Sequence, residues 1–212
     1  MDCDDGLPIY NAVGLGIRCS EVTHDAFKHR VLTFSTRPQW ITMHDKATFV
    51  EKAKHVRNDP NWAGSTNIGA MFDLILNVIL KNEIPPESVE DMILAIFSDM
   101  QIDHCGTGSL DTLYENISNK FHKAGMKSKF GVAYPVPHIL FWNLRKTNGF
   151  PVLSTQKNVT MMSGYSSALL NVLSDKGMEG LKEFTPAKML MDILDNDRYS
   201  ILDSDLYEYY AN

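Results

Sequence analysis

Apolar residues return at helical spacing from Leu7 to about Val22, where Ile9, Ala12, Val13, Gly16 and Ile17 share a face and Pro8 sits in the first turn. The pattern then changes. Arg30 to Thr36 and Gln39 to Met43 are β-branched and aromatic and predict two strands. The short Arg37-Pro38 break between them predicts a hairpin, with the second strand an antiparallel edge. Helical spacing resumes over Lys46 to Arg57, with Phe49, Ala53 and Val56 expected inward and the charges outward. After the polar loop Trp62 to Asn67, the stretch Ile68 to Lys81 carries a broad stripe of Ile68, Met71, Phe72, Ile75, Val78 and Ile79. That stripe predicts a mostly buried helix, ended by Pro85 and Pro86 and followed by an acidic turn.

Met92 to Phe97 is apolar throughout, as expected of a parallel strand covered on both faces, and is assigned to the sheet centre. Ser109 is placed to cap a helix over Leu110 to Ala124, with Leu110, Leu113, Tyr114, Ile117 and Phe121 inward and Gly125 as its stop. His138 to Asn143 and Asn158 to Met162 predict two further strands. The second leads through Ser163-Gly164-Tyr165 into a helix at Ser167 to Leu173, and a last helix is expected over Pro186 to Leu194, packing back. Strand and helix alternate, which demands crossover connections. The fold class is therefore α/β: a doubly wound, mostly parallel sheet with helices on both faces. The expected organisation is one domain over residues 1–202 and an acidic, tyrosine-rich tail over 203–212.

Composition narrows the function classes. The 212 residues are 44% hydrophobic and 22% charged, which excludes a disordered or collagen-like chain. A net charge of -6 supplies no general positive field for nucleic acid, which is therefore not expected as a partner. Cys3, Cys19 and Cys105 form no C-x-x-C pair, and the acidic start Asp2-Cys3-Asp4-Asp5 is unlike a secretion signal. No apolar run reaches the roughly 20 residues of a membrane span. The expectation is a soluble protein of the cytoplasm or another reducing compartment.

Ligand sites of open parallel sheets lie beyond the carboxyl ends of the strands, so polar residues there are the candidates. Asp99 follows the Met92 to Phe97 strand, and Ser65, Thr66 and Asn67 open a helix whose amino end could face the same rim. Their hard oxygens suit Mg2+ or Mn2+, while an ordinary strand-end carboxylate and helix cap explain them equally well. Asp103, Asn143 and Arg145 extend the candidate rim.

Gly64-Ser65-Thr66-Asn67-Ile68 and Ile96-Phe97-Ser98-Asp99 resemble the second and third loops of a von Willebrand factor type A domain. More specifically, Leu7 to Gly16, Val31 to Ser35, Phe97 to Gln101, Phe141 to Arg145 and Met162 to Ser166 are similar, in order, to the C-terminal domain of an uncharacterised family of plants, fungi and giant viruses. Ro-type RNA-ring proteins are more distantly similar. The resemblance covers nearly the whole chain. It implies a metal-ion-dependent adhesion site to which Thr66 and Asp99 contribute, bridging to an acidic residue of a partner. The family's first loop, Asp-x-Ser-x-Ser, and the first central strand before it have no counterpart ahead of Leu7. Three explanations stay open: completion by a neighbouring polypeptide, a sheet closed over the gap, or a piece of a longer chain.

Other motifs carry less. Ser166 in Gly164-Tyr165-Ser166-Ser167-Ala168 resembles a nucleophile elbow, but the last histidine, His138, precedes it, against the chain order of α/β-hydrolases. His104 and Cys105 match no zinc spacing, Gly14 and Gly16 lie inside a helix pattern, and Asp195-x-Asp197 lacks the glycine of a calcium loop. Phe141 and Trp142 are expected in the core. The expected function is a non-enzymatic protein-interaction domain with a partial adhesion-type rim. The alternatives are a metal-free structural subunit of a larger assembly, partnered by a chain that supplies the missing strand, and a serine hydrolase using Ser166.

Overall fold

The apolar stripes fold where their spacing places them. In the computed structural model, which describes residues 7–33, 35–60, 67–98, 110–145 and 158–164 with Ala187, Leu190, Met191, Leu194 and Asp195, five helices and five strands are defined. Helix α1 (Leu7–Val22) is followed by a single 3-10 turn and then by strands β1 (Arg30–Leu32) and β2 (Trp40–Thr42). Helices α2 (Phe49–Arg57), α3 (Ile68–Lys81) and α4 (Pro86–Glu90) lead to strand β3 (Ile93–Ser98). Helix α5 (Leu110–Lys127) connects β3 to β4 (His138–Asn143), and β5 (Val159–Ser163) follows. The chain divides into two compact units, Met1–Tyr165 and Ser166–Asn212.

The described strands form two sheets rather than one. β1 and β2 are an antiparallel pair with Val31 opposite Ile41, as the Arg37-Pro38 break predicts. β3, β4 and β5 are parallel in that order, with Phe97, Trp142 and Met162 in register. The architecture is mixed α/β. β4, not β3, is the middle of the described parallel strands, and burial agrees: every β4 residue is buried, whereas Ile93, Leu94, Ala95 and Phe97 of β3 are half-buried.

Alternation across the parallel sheet builds the main core. Ile96, Ile139 and Phe141 project to one face, with Leu94, Val159 and Met161 partly buried beside them. Against them pack Met71, Phe72, Ile75 and Ile79 of α3 and Ile117 and Phe121 of α5. The Phe72 and Phe121 rings meet edge to face at 6.1 Å, a contact that favours their quadrupoles. Trp142 is fully buried, its ring 5.4 Å from Phe97 and its indole N–H donating to Gly164 O at 2.9 Å. A second cluster holds Val13 and Ile17 of α1, Ile41, Met43 and Val56, with Val31 and Ala53 against it. At Gly16 a Cβ would lie 3.5 Å from the Val31 side chain, an ordinary contact distance, so α1 lies against β1 with room for a methyl group.

Several expectations need correction. The helix predicted from Lys46 starts at Phe49, because Thr48 and Glu51 form a capping box in which each side chain bonds the other's backbone N–H. Phe49 is exposed, and Lys52 is buried along with the expected Val56, its ammonium 2.8 Å from Glu21 of α1. Gly125 does not end α5, which runs on to Lys127. The glycine is required inside the helix because the return segment crosses over it: a Cβ would stand 2.3 Å from Val132 O and Tyr134 N. The acidic turn after Pro85 is helix α4, with Pro86 in its first turn. The first strand stops at Leu32, short of Thr36, as the chain bends at Ser35 to Arg37.

The predicted cap Ser109 and the predicted helix at Ser167 to Leu173 lie outside the described residues, as does the tail over 203–212. Within the second unit, Ala187, Leu190, Met191 and Leu194 are helical, with Asp195 N–H donating to Met191 O at 2.7 Å. Leu190, Met191 and Leu194 are exposed. Among the described residues no helix is long and apolar enough to cross a membrane.

Candidate functional site

Parallel register brings three small polar residues to one line. Ser98, Asn143 and Ser163 close β3, β4 and β5 and stand opposite one another at the carboxyl ends of the strands. Ser98 and Asn143 are buried and Ser163 is exposed, so the row opens toward β5. Asn143 shapes the turn beyond β4. Its Oδ1 accepts from the Arg145 N–H at 2.9 Å, and its carbonyl accepts from Gly164 N–H at 3.1 Å. Gly164 has φ +113°, a conformation that side-chain-bearing residues rarely adopt. Arg145 is half-buried beside it.

Asn67 takes the role of a helix cap. Its Oδ1 accepts from Ala70 N–H at 3.0 Å, and its own N–H donates to Ser35 O at 3.2 Å, tying the start of α3 to the segment after β1. Thr33 and Ser35 there are buried. The Thr33 hydroxyl accepts from Gln39 N–H at 2.9 Å and shares a hydrogen bond with the Ser35 hydroxyl at 3.3 Å. These two residues escaped the sequence reading, although small hydroxyl residues at a strand end were a usable signal. Ser65, Thr66, Asp99, Asp103 and Ser166 lie outside the described residues. Among the described residues, no three His, Cys, Asp or Glu side chains come together as a metal group.

A second polar cluster sits at the opposite, amino ends of β4 and β5. Asn158, at φ +61°, donates from Nδ2 to Val136 O at 2.9 Å and to the Tyr114 hydroxyl at 3.2 Å. Its Oδ1 meets His138 Nδ1 at 3.1 Å, while His138 Nε2 meets the Thr160 hydroxyl at 2.8 Å. Both imidazole nitrogens are therefore engaged, which ties the amino ends of β4 and β5 together. Cys19, the described cysteine, is likewise unsuited to nucleophilic chemistry: burial pushes its thiol up to about 11, with Arg18 opposing.

Residues 1–198 match a protein family described as "Domain of unknown function (DUF7788)". The chain belongs to the DUF7788 family. The DUF7788 chain is also 32% identical over 192 residues to "Uncharacterized protein L728" of Acanthamoeba polyphaga mimivirus. That alignment covers 90% of this chain and 31% of the viral protein, so the chain spans about a third of its relative's length. No solved structure matches the DUF7788 chain.

Proposed function

We propose that this DUF7788 domain is a non-enzymatic interaction module that binds a polar segment of a protein partner at the carboxyl ends of β3, β4 and β5. The observation that supports this most is the in-register row Ser98, Asn143 and Ser163. Open parallel sheets present ligands at that end, and the row offers hydroxyl and amide groups without a buried charge to repel a partner. In the von Willebrand A-like form of the reading, Thr66 and Asp99 add oxygens for Mg2+ or Mn2+, and the partner's carboxylate completes the shell. The described rim residues are neutral apart from the cationic Arg145 and fit a divalent ion poorly, so the ion depends on Asp99.

An amide spectrum recorded during Mg2+ titration tests the site. The expected result is saturable shifts centred on Ser98, Asn143, Ser163 and Gly164. Shifts scattered over surface carboxylates, or none, would count against an ion at the rim. The same reading expects a fluorophosphonate probe to leave the protein unlabelled, and stoichiometric labelling lost in Ser166→Ala would instead establish a serine hydrolase. The metal-free structural subunit is the second reading, supported by the edges of β1 and β3 that no strand pairs among the described residues.

A further inference from the structure

Charge is spread unevenly along the chain. Between Glu115 and Asp175 no acidic residue occurs over 59 positions, where the chain average would place about seven, while seven Lys and Arg fall in the same stretch. The rest of the chain is correspondingly acidic, since the net charge is -6. In the described part of this stretch, positive charge gathers on the last turns of α5 and the segment after it. Lys120, Lys123, Lys127 and Lys129 are all exposed there, with His122 exposed beside them.

Two of these lysines are tied within the fold. Lys120 pairs with Asp73 of α3 at 2.7 Å, and Lys129 pairs with Glu83 and lies over the Phe130 ring. Lys123 and Lys127, one helical turn apart, make no ion pair among the described residues. The negative end of the helix dipole accounts for Lys127 in the last turn but not for Lys123, which stands before it. Exposed apolar residues accompany them. Met126 follows Lys123 by three residues and so shares its face. Val132 lies where the return segment crosses α5, its carbonyl 2.3 Å from a Cβ added at Gly125. Met126 and Val132 are each more than half exposed.

We propose that this end of α5 binds an acidic segment of a protein partner, with carboxylates against Lys123 and Lys127 and an apolar side chain against Met126 and Val132. Charge complementarity and the exposed aliphatic groups together select that partner. Nucleic acid and a membrane surface fit less well. Met126 and Val132 give a base no ring to stack on, and the Phe130 ring is half-buried beneath Lys129. The acidic remainder of the chain also opposes an extended polyanion more than a short carboxylate segment. For lipid, α5 lacks an apolar outer face: Ile117 and Phe121 enter the core, and Met126 is its exposed large apolar residue among those described. This surface is separate from the rim. α5 leads from the carboxyl end of β3 back to the amino end of β4, so its last turns lie at the opposite end of the sheet from Ser98, Asn143 and Ser163. The inference therefore stands or falls apart from the rim.

The test is an amide spectrum of the 212-residue chain titrated with a short peptide of alternating Glu and Leu. A Gln and Leu peptide, a single-stranded oligouridine and vesicles of phosphatidylserine and phosphatidylcholine serve as comparisons. The Glu and Leu peptide is expected to give saturable shifts centred on Lys123, Met126, Lys127 and Val132, with an affinity that falls as salt rises. Lys123→Glu combined with Lys127→Glu should lower that affinity about tenfold and confer binding of a Lys and Leu peptide, and Met126→Ser should lower it about threefold. All three side chains are exposed, so both variants should keep the native circular dichroism spectrum, and the comparison of peptides on the native chain does not depend on either. No binding of the Glu and Leu peptide, shifts at the rim instead, equal binding of the Gln and Leu peptide, unchanged affinity in both variants, or tighter binding of the oligouridine or the vesicles would overturn the proposal.

Discussion

Gly125 shows how one missing methyl group fixes the path of the chain. The return segment crosses α5 so closely that any Cβ would meet main-chain atoms, which cannot rotate away. Gly125→Ala is expected to lose about 3 kcal/mol, at the upper end for overpacking, measured by urea denaturation. Lys52 and Glu21 make the opposite case, a buried cation kept by its partner. The hydrogen bond from Lys52 holds the Glu21 carboxyl below its ordinary value of 4.5, with Arg18 assisting. The folded state therefore favours the ionised form. Its stabilisation is complete above 4.5 and is lost as pH falls through the lower folded value. Glu21→Gln should remove that portion of the acid dependence and cost about 2–3 kcal/mol at pH 7, because Lys52 would stay buried without its carboxylate. Lys52→Met should stay within about 1 kcal/mol of the native chain. The raised thiol of Cys19 predicts slow alkylation at pH 8 in the folded protein and rapid alkylation in denaturant, and equal rates would contradict its burial.

At the scale of elements, helical periodicity was the most legible signal. The stripes of α1 and α3 gave their bounds because each spans several turns around a continuous core. Shorter elements were less legible. The start of α2 is decided by the Thr48–Glu51 capping box, so Thr48→Ala should destabilise the protein by about 1 kcal/mol, and an unchanged unfolding midpoint would show that the box contributes nothing. The inward face of α2 was misassigned at Phe49 and Lys52. A lysine is read from sequence as solvated, and only the packing of α1 against α2 brings Glu21 within 2.8 Å. The role of Gly125 was hidden for the same reason, since its neighbours Val132 and Tyr134 come from a different turn of the chain. In the strands, an unbroken apolar run identified β3 and β4 as buried but could not rank them, because position in a sheet depends on pairing partners.

For the molecule as a whole, the alternation of strands and helices made the α/β class legible, and the parallel register of β3, β4 and β5 follows from it. The separation into two sheets was not legible from periodicity, which reports faces and not edges. Of the candidate rim, Asn143 and Arg145 come together at the end of β4, while Asn67 serves as the cap of α3. Ser98 and Ser163 join Asn143 only through strand register, a relation that linear spacing does not carry. The proposed working surface is this rim, with Asp99 proposed to bring a divalent ion to it. The decisive measurement is thermal unfolding with chelator and with Mg2+ or Mn2+, run on the native chain and on Asp99→Ala. Added stability is expected in the native chain, about 2.7 kcal/mol when the ion stands a hundredfold above its dissociation constant, and none in the variant. No metal-dependent shift in the native chain, or an equal shift in Asp99→Ala, would contradict it.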